Sequence, residues 1–150
     1  MIDPTIRLAD RHDADDVAQL ELLEKEARAA LDGQRGGERW LIEHLEIGEQ
    51  WIERCETDDV WVAHMDDVLV GYMVALLGAD LIIRVDQVWV TPAARELGFG
   101  DGLLAAAIAG ARERNAVAVE GQSLPGDRHT KNLYERAGIV ARLITTYKPL

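Results

Sequence analysis

The chain has 150 residues, 48% hydrophobic and 29% charged, which is typical of one globular domain with a sizeable core. Its net charge of −11 argues against nonspecific nucleic-acid binding, and its longest uncharged apolar stretch, 68–79, is too short to span a bilayer. The single cysteine, Cys55, allows neither an internal disulfide nor a zinc cluster, which fits a cytoplasmic protein. Together with the charge and the short apolar stretch, this leads us to expect neither a nucleic-acid nor a membrane partner.

The charge is distributed unevenly along the chain. Residues 1–67 hold 19 acidic and 7 basic residues, whereas residues 68–150 hold 8 and 9. Because summed fields steer ligands by sign, this division would suit a C-terminal half that holds a polyanion and an N-terminal half that meets a cation. A solvated acidic surface that aids solubility explains the same counts.

The N-terminal part predicts one strand and two helices. Polar residues at 10–16 suit a helix start, and the apolar residues that follow recur at helical spacing. A cluster of glycines at 33–37 then interrupts the run. The predicted elements are a strand at 5–9, a helix to Leu31, and a second helix from Glu38 to about residue 57.

From residue 60 the apolar period changes from 3.6 to 2, which predicts an antiparallel meander of three strands. Helix and strand patterns then alternate to the end of the chain. The predicted strands are 60–64, 68–77, 81–90, 116–120 and 139–148, and the predicted helices are 102–114 and 128–137. With no linker to divide it, this order predicts one mixed α+β domain over residues 1–150.

The most informative segment is the glycine-rich turn at 88–104. A Walker phosphate loop is excluded because no Gly-Lys-Ser/Thr follows the glycines. Residues 100–105 satisfy the G-x-G-x-x-A dinucleotide pattern, with Glu120 at a distance that suits a ribose. However, seven residues separate Val90 from Gly98, whereas a dinucleotide turn leaves its strand directly. A plain glycine-rich connection to a buried helix is a further alternative.

The turn closely resembles the fingerprint of the GNAT superfamily of acetyl-CoA-dependent N-acetyltransferases. That fingerprint, Gln/Arg-x-x-Gly-x-Gly/Ala, is present as Arg95-Glu96-Leu97-Gly98-Phe99-Gly100. A second segment, 130–138, resembles the later family motif at Leu133, Tyr134 and Gly138. It departs from that motif where Asp127 replaces an Asn, Thr130 an Ala, and Ile139 a Phe.

The resemblance implies a GNAT fold, with a mixed central sheet, antiparallel N-terminal strands, splayed fourth and fifth strands, and helices on both faces. It also implies acetyl-CoA as cosubstrate and no metal. Glycines let the backbone approach the pyrophosphate at a helix start, and the fourth strand would pair with pantetheine like an added strand. The implied cofactor-binding residues are Val88, Trp89, Val90, Arg95, Glu96, Leu97, Gly98, Phe99, Gly100, Asp101, Gly102 and Asn132.

Acetyl transfer to an amine requires a proton acceptor for the amine and a proton donor for the departing thiolate. The resemblance makes Tyr134 the donor, the alternative being a buried tyrosine with an ordinary hydrogen bond. The resemblance also makes Asp86 the candidate acceptor, since many members carry an acid on strand four, a few residues before the Val-x-Pro end, that takes the proton through ordered water. Strand alternation puts Asp86 on one face with Val88 and Val90, so it could point at the amine. An ion pair with Arg84 is the alternative role for Asp86. The Val88 N–H is the candidate donor to the oxyanion.

Other residues offer weaker candidates for the same site. His64 and His129 are possible proton acceptors outside the family positions, so a structural role is the better interpretation of each. Three tryptophans could line an acceptor pocket, although core packing is expected for at least two of them: Trp40, Trp51 and Trp89.

The acceptor is predicted to be an amine of a small molecule or peptide, and the acidic N-terminal half favours a cationic one. Two alternatives stay open, namely a catalytically silent acyl-CoA-binding module and an acyltransferase with another donor or acceptor. Only twelve residues follow Gly138, enough for one strand where family members usually have two. The exposed edge that results predicts a homodimer.

Overall fold

The computed structural model describes residues 4–150, in which the backbone forms five strands and five α-helices. The strands are β1 (Thr5–Leu8), β2 (Asp59–Met65), β3 (Val68–Leu77), β4 (Ile82–Val90) and β5 (Ala118–Glu120). The helices are α1 (Ala14–Asp32), α2 (Gly37–Glu43), α3 (Trp51–Thr57), α4 (Phe99–Glu113) and α5 (Arg128–Arg136). Within this part of the chain, no helix has both the length and the apolar character needed to cross a membrane.

The five strands form one mixed sheet in the order β1-β2-β3-β4-β5. The first four pair antiparallel, as the period-2 pattern predicts, and β5 pairs parallel to β4. The β4–β5 ladder has only three residue pairs and ends at Arg84 opposite Glu120. The predicted α+β fold with a mixed sheet and splayed fourth and fifth strands is therefore confirmed.

Helices cover both faces of the sheet and bury two apolar clusters. On one face, α4 and α5 contribute Phe99, Leu103 and Leu133. On the other, α1 and α3 contribute Leu20 and Trp51. Burial of such side chains stabilises the fold by about 1.5–3 kcal/mol each. Because both faces are covered, β3 is buried along most of its length and does not alternate between core and solvent.

The predicted second helix is wrong in its extent, because it is divided in two. Helix α2 ends at Glu43 and α3 begins at Trp51, with a short 3₁₀ turn before it. Gly48 adopts a positive φ of 58°, a conformation that interrupts a right-handed helix. Trp40 and Trp51 therefore lie on different helices and do not share one helical face.

The predicted final strand, Ile139–Lys148, is also wrong. Residues 139–150 form no regular element, although their sequence is rich in β-branched residues. A strand needs a neighbouring strand with which to pair, and among residues 4–150 no strand pairs with this segment. Helix α4, predicted from Gly102, begins three residues earlier at Phe99.

An ion pair fixes the start of α1 to β1. The Asp16 carboxylate, with its side chain 4% exposed, accepts hydrogen bonds from Arg7 Nη1 at 2.6 Å and Nη2 at 2.8 Å. It also accepts the Asp10 backbone N–H at 2.9 Å. The hydrogen bonds from Arg7 hold the pKa of Asp16 below its ordinary value, against the opposing effect of burial.

We expect Asp16→Asn to lower the free energy of unfolding at pH 7 by roughly 1.5–3 kcal/mol, the range for hydrogen bonds to charged groups. Since the folded-state pKa of Asp16 is depressed, its contribution is complete above the unfolded pKa of about 3.9 and is lost as pH falls through the folded value. Urea unfolding from pH 7 to pH 2 measures this. If the difference in unfolding free energy between wild type and variant stays constant over that pH range, the stabilising role of the Asp16–Arg7 ion pair is contradicted.

Candidate active site

A cleft opens where β4 and β5 diverge. Beyond the Arg84–Glu120 pair, β4 continues to Val90, whereas the segment that follows β5 leaves the sheet through residues 121–124. Residues from α5, α1 and α2 close the remaining sides. We call this space the β4–β5 cleft, and its walls include Val85, Val88, Leu124 and Tyr134.

The backbone of β4 presents unpaired N–H groups to this cleft. The Thr91 N–H donates to the Val70 carbonyl at 2.8 Å, so residue 91 points its backbone toward β3. Backbone groups alternate in direction along a strand, so Trp89 also points toward β3, whereas Val88 and Val90 point toward the cleft. Val88 and Val90 thus have amides available on the open edge, and Trp89 does not.

A β-bulge at Asp86 changes which side chains share a face of β4. Val85 pairs with Ala75 and Gln87 with Val74, so Asp86 is an extra residue in the ladder. After the bulge, Val88 joins the apolar cluster beneath α4, and Gln87 points to the opposite face. The predicted common face of Asp86, Val88 and Val90 is therefore wrong.

The ion partner of Asp86 also differs from the one expected. Asp86 Oδ2 accepts from Arg54 Nη2 on α3 at 2.5 Å, and Arg54 pairs in turn with Asp58. Arg84 instead pairs with Asp80 at 2.8 Å and with Glu120 at 3.3 Å. Asp86 nevertheless lines the cleft, with its side chain 27% exposed. It stands at the end where α1 and α2 approach β4.

Tyr134 places a phenol in the cleft. Its side chain, which projects from α5, is buried, and among residues 4–150 its hydroxyl has no hydrogen-bond partner. The ring packs on Gly121, where a Cβ would come within 2.6 Å of the hydroxyl oxygen. Burial, and then the charge of Asp127, raise the pKa of Tyr134 above its ordinary value. The phenol is therefore protonated at neutral pH and free to donate.

A buried polar network forms the wall opposite Tyr134. The Glu24 carboxylate is 1% exposed and accepts the backbone N–H groups of Ile47 at 2.9 Å and Gly48 at 2.8 Å. It also accepts Gln87 Nε2 at 3.0 Å, and the Tyr72 hydroxyl donates to Gln87 Oε1 at 2.7 Å. Sequence patterns did not predict this network, although an acid inside the apolar stripe of α1 is a visible signal for it.

Of the three tryptophans, only Trp40 lines the cleft. It stacks on His44 with ring centroids 4.1 Å apart, and Arg28 fixes this region by donating to the His44 carbonyl at 2.8 Å. Trp51 and Trp89 are buried in the cluster beneath α1. Core packing of two of the three tryptophans, as predicted, is confirmed.

The glycine turn ends in a left-handed residue at the start of α4. Gly98 has a φ of 92°, and a side chain there would be strained. The first α4 backbone bond runs from the Gly102 N–H to the Gly98 carbonyl, so the N–H groups of Phe99, Gly100 and Asp101 precede it. These amides and the helix dipole favour an anion at this end.

The side chains of the turn have mostly structural contacts. Arg95 donates to the Val90 carbonyl at 3.0 Å and lies over the Trp89 ring at 4.6 Å, which ties the turn to the end of β4. Phe99 is buried in the apolar cluster beneath α4. A Cβ added at Gly100 would lie 3.5 Å from Leu133 Cδ1, which is an ordinary contact distance.

The remaining candidates lie at the edges of the site or outside it. Asp101 pairs with Arg136 at 2.9 Å, and Asn132 is exposed on α5. His64 bonds the Asp66 carbonyl in the β2–β3 turn, away from the cleft. His129 lies near Gly100, and burial, followed by the charge of Arg95, lowers its pKa. Glu96, at a positive φ of 65°, and the 40% exposed Leu97 belong to the turn surface.

Comparison with known protein families gives a match over most of this region. Residues 56–138 match the family model described as "Acetyltransferase (GNAT) domain", which is more than half of the chain. The match includes β2 to α5, and thus the β4, β5 and α5 sides of the cleft, whereas α1 and α2 lie outside it. No curated protein sequence matches the chain.

Solved structures share the fold at low sequence identity. An aminoglycoside acetyltransferase, meta-AAC0020 from an uncultured soil metagenomic sample, has a TM-score of 0.71 at 17% identity over 98% of this chain and 96% of its own. The ribosomal-protein-alanine N-acetyltransferase of Brucella melitensis has a TM-score of 0.69 at 18% identity over 99% of both chains. AAC(6')-Iy with the bisubstrate analogue CoA-S-monomethyl-acetylneamine has a TM-score of 0.68 at 16% identity, over 99% of this chain and 100% of its own.

The buried network should contribute to the free energy of unfolding. Glu24→Gln replaces one accepting oxygen by an NH₂ group and leaves a buried donor without a partner, so the free energy of unfolding should fall by about 1–3 kcal/mol. Urea unfolding measures this, with Glu21→Gln on the same helix as the matched control, expected within about 0.5 kcal/mol of wild type. Equal effects of the two substitutions would show that the network does not hold the wall.

Proposed function

Because the chain belongs to the GNAT acetyltransferase family, we propose that it transfers the acetyl group of acetyl-CoA to a primary amine of a small molecule or peptide. The observation that carries this proposal is the open edge of β4. Its free Val88 and Val90 amides face the same cleft as the buried, unpartnered hydroxyl of Tyr134. The two amides in the pantetheine arm of acetyl-CoA can pair with an open strand edge, and the thiolate that leaves the thioester needs a proton donor. This cleft offers both.

The proposed binding mode uses the elements of the cleft in turn. The pyrophosphate of CoA lies at the Gly98 turn, where the first amides of α4 are unpaired. Pantetheine runs along the open edge of β4, donates a hydrogen bond to the Val88 carbonyl and receives one from the Val90 N–H. The thioester then reaches the Tyr134 hydroxyl at the inner end. AAC(6')-Iy binds a single molecule that joins CoA to an amine, which supports direct transfer in a ternary complex.

The proposed reaction is a direct attack. The amine nitrogen attacks the thioester carbonyl carbon, and the Val88 N–H donates to the oxygen that becomes negative. The carbon–sulfur bond then breaks, and the leaving thiolate takes the proton of the Tyr134 hydroxyl. The proton lost by the amine goes to Asp86, directly or through water. The products are the acetylated amine and CoA thiol.

The acceptor enters from the side of α1 and α2. Trp40, Leu31 and Tyr72 give this side an apolar and aromatic wall, and Asp86 gives it a carboxylate. Such a combination suits a cationic amine, as does the acidic N-terminal half of the sequence. Two of the structurally similar proteins are named as an aminoglycoside acetyltransferase and a ribosomal-protein-alanine N-acetyltransferase. Both classes of amine therefore belong in a substrate search. With Cys55 free, we place the reaction in the cytoplasm.

A thiol-release assay tests the proposal. Acetyl-CoA, and in parallel a longer acyl-CoA, is presented with aminoglycosides, polyamines and peptides with an N-terminal alanine, and with alcohols as acceptors of another class. We expect release that depends on the amine. Binding of acetyl-CoA by calorimetry without release for any acceptor would favour the silent binding module. Release only with longer acyl-CoA or with alcohols would favour the other acyltransferase.

Tyr134→Phe keeps the ring and removes only the hydroxyl, so packing should survive while proton donation is lost. We expect kcat to fall about 10²- to 10⁴-fold with little change in the affinity for acetyl-CoA. Steady-state kinetics and calorimetry measure the two quantities. Tyr147→Phe, at an exposed tyrosine, is the control and should be unaffected. A Tyr134→Phe enzyme with wild-type kcat would remove the phenol from the mechanism.

Asp86→Asn should lower the rate at neutral pH, and the defect should shrink as pH rises because more amine is already the free base. Asp58→Asn is the matched control, since it removes the other carboxylate of Arg54 without changing Asp86. The pH–rate profiles of both variants separate proton transfer from the ion pair. The same profile in the two variants would leave Asp86 with a structural role only.

A further inference from the structure

The side chains of Asp86 and Gln87 lie next to one another on one face of β4. Regular alternation would put consecutive residues on opposite faces, but the bulge at Asp86 turns both toward α1 and α3. Asp86 bonds Arg54 on α3. Gln87 bonds Glu24 on α1. Because both residues line the β4–β5 cleft, its acceptor side has a carboxylate and a carboxamide on neighbouring residues.

Hydrogen bonds fix the direction in which the Gln87 amide points. Its Nε2 donates to Glu24 at 3.0 Å, and a carboxylate can only accept, so the nitrogen faces Glu24. The Oε1 atom therefore faces Tyr72, whose hydroxyl donates to it at 2.7 Å. Glu24 and Tyr72 are each 1% exposed, so neither partner can turn toward water. The other amide in the lining, Gln122, is exposed and has no such bonds within residues 4–150.

Both neighbouring side chains keep a free hydrogen-bonding atom. Nε2 of Gln87 carries two hydrogens, and within residues 4–150 only the bond to Glu24 uses one of them. Asp86 receives Arg54 on Oδ2, and its Oδ1 has no donor in the described part of the chain. The acceptor side thus offers one oxygen that accepts from an amine and, beside it, one N–H that donates to an oxygen.

The charges around the cleft decide which kind of oxygen fits. Among the described residues, Arg28 is the only cation in the lining, and both its Nη atoms already donate to backbone carbonyls at the end of α2, at 2.8 and 3.2 Å. Asp86 and Asp127 line the same cleft, and Glu24 lies behind Gln87. These carboxylates repel an anionic group of a ligand. A neutral oxygen, as in a hydroxyl, an ether or an amide carbonyl, therefore suits the free N–H of Gln87.

We propose that Gln87 selects the acceptor, and that the acceptor is an amine with a neutral oxygen on the carbon next to the amine-bearing carbon. The inference rests on the proposed acetyl transfer and narrows its substrate class. The amine nitrogen lies at Asp86, and the oxygen on the adjacent carbon accepts the free N–H of Gln87. Amino sugars and the N-terminal residue of a peptide have this pattern. Alkylamines, polyamines and lysine side chains do not.

Thiol release with matched amines tests this proposal. The compounds 2-aminocyclohexanol and cyclohexylamine differ by one hydroxyl, and alaninamide has a neutral oxygen where alanine has a carboxylate. The ratio kcat/KM is calculated per free base, because the oxygen also lowers the basicity of the amine. We expect wild type to prefer the amino alcohol and alaninamide by about 10- to 100-fold. The poorer acceptor of each pair leaves the Gln87 N–H unpaired or brings an anion beside Asp86.

Gln87→Met keeps the length of the side chain and removes the amide. The loss of the bonds to Glu24 and Tyr72 alone would lower kcat/KM for 2-aminocyclohexanol and cyclohexylamine alike, so the preference between them is the decisive quantity. We expect this preference to fall to about one. Gln19→Met is the matched control. It removes a glutamine that accepts the Leu69 N–H at 2.7 Å but is not part of the cleft lining, and it should keep the wild-type preference.

Nuclear magnetic resonance of the Gln87 side-chain amide decides the matter if Gln87→Met does not fold or the small amines are not acetylated. In the wild-type complex with CoA, 2-aminocyclohexanol should shift the NH₂ signals of Gln87 and cyclohexylamine should not. Equal shifts, or none, would overturn the selection by Gln87, as would equal kcat/KM for the two amines or an unchanged preference in Gln87→Met. A protein that neither binds acetyl-CoA nor releases thiol with any amine would instead contradict the proposed function itself.

Discussion

The structure depends on one constraint, namely that β4 is paired along its whole length on one edge and along only three residues on the other. The ladder with β3 fixes the strand in the centre of the sheet. The ladder with β5 ends at Arg84, and from there the second edge of β4 is open. The unpaired amides of this edge are the groups that the proposed strand-like binding of acetyl-CoA uses. The glycine turn and Tyr134 lie at the two ends of that open edge.

The other wall of the site is held by a carboxylate that solvent does not reach. Glu24 joins α1, the turn before α3 and β4 through three hydrogen bonds. A buried charge is costly unless every acceptor position is used, and here both carboxylate oxygens accept N–H groups. The network thus fixes Gln87 and Tyr72 next to the bulge at Asp86. In the proposed reaction, this wall would set the position of the incoming amine relative to the open edge of β4.

The sequence predicted those parts of the fold that local patterns determine. Strand β3 has the bounds that the period-2 pattern gives, and α5 differs by one residue. The glycine turn was recognisable because the backbone at Gly98 has a positive φ, and such a position strongly favours glycine in the sequence. Tyr134 and the open edge of β4 could be predicted only through the family resemblance, since no local pattern distinguishes a buried tyrosine from one that faces a substrate.

The parts that were not predicted depend on contacts between distant residues. The break between α2 and α3 is held by Glu24, which bonds Gly48 across 24 positions of the chain. The bulge that turns Asp86 away from Val88 is a property of the β3–β4 ladder, and strict alternation cannot reveal it. Residues 139–150 have strand composition, but whether a strand forms depends on pairing with another strand, which composition alone does not determine.

Amide hydrogen exchange with and without acetyl-CoA tests most directly whether the open edge of β4 receives the cosubstrate. On the proposed binding mode, exchange slows at Val88 and Val90 and at the first amides of α4. It should change little at Gln87 and Trp89, whose amides already point toward β3. Slowed exchange confined to other parts of the protein, with Val88 and Val90 unchanged, would contradict it.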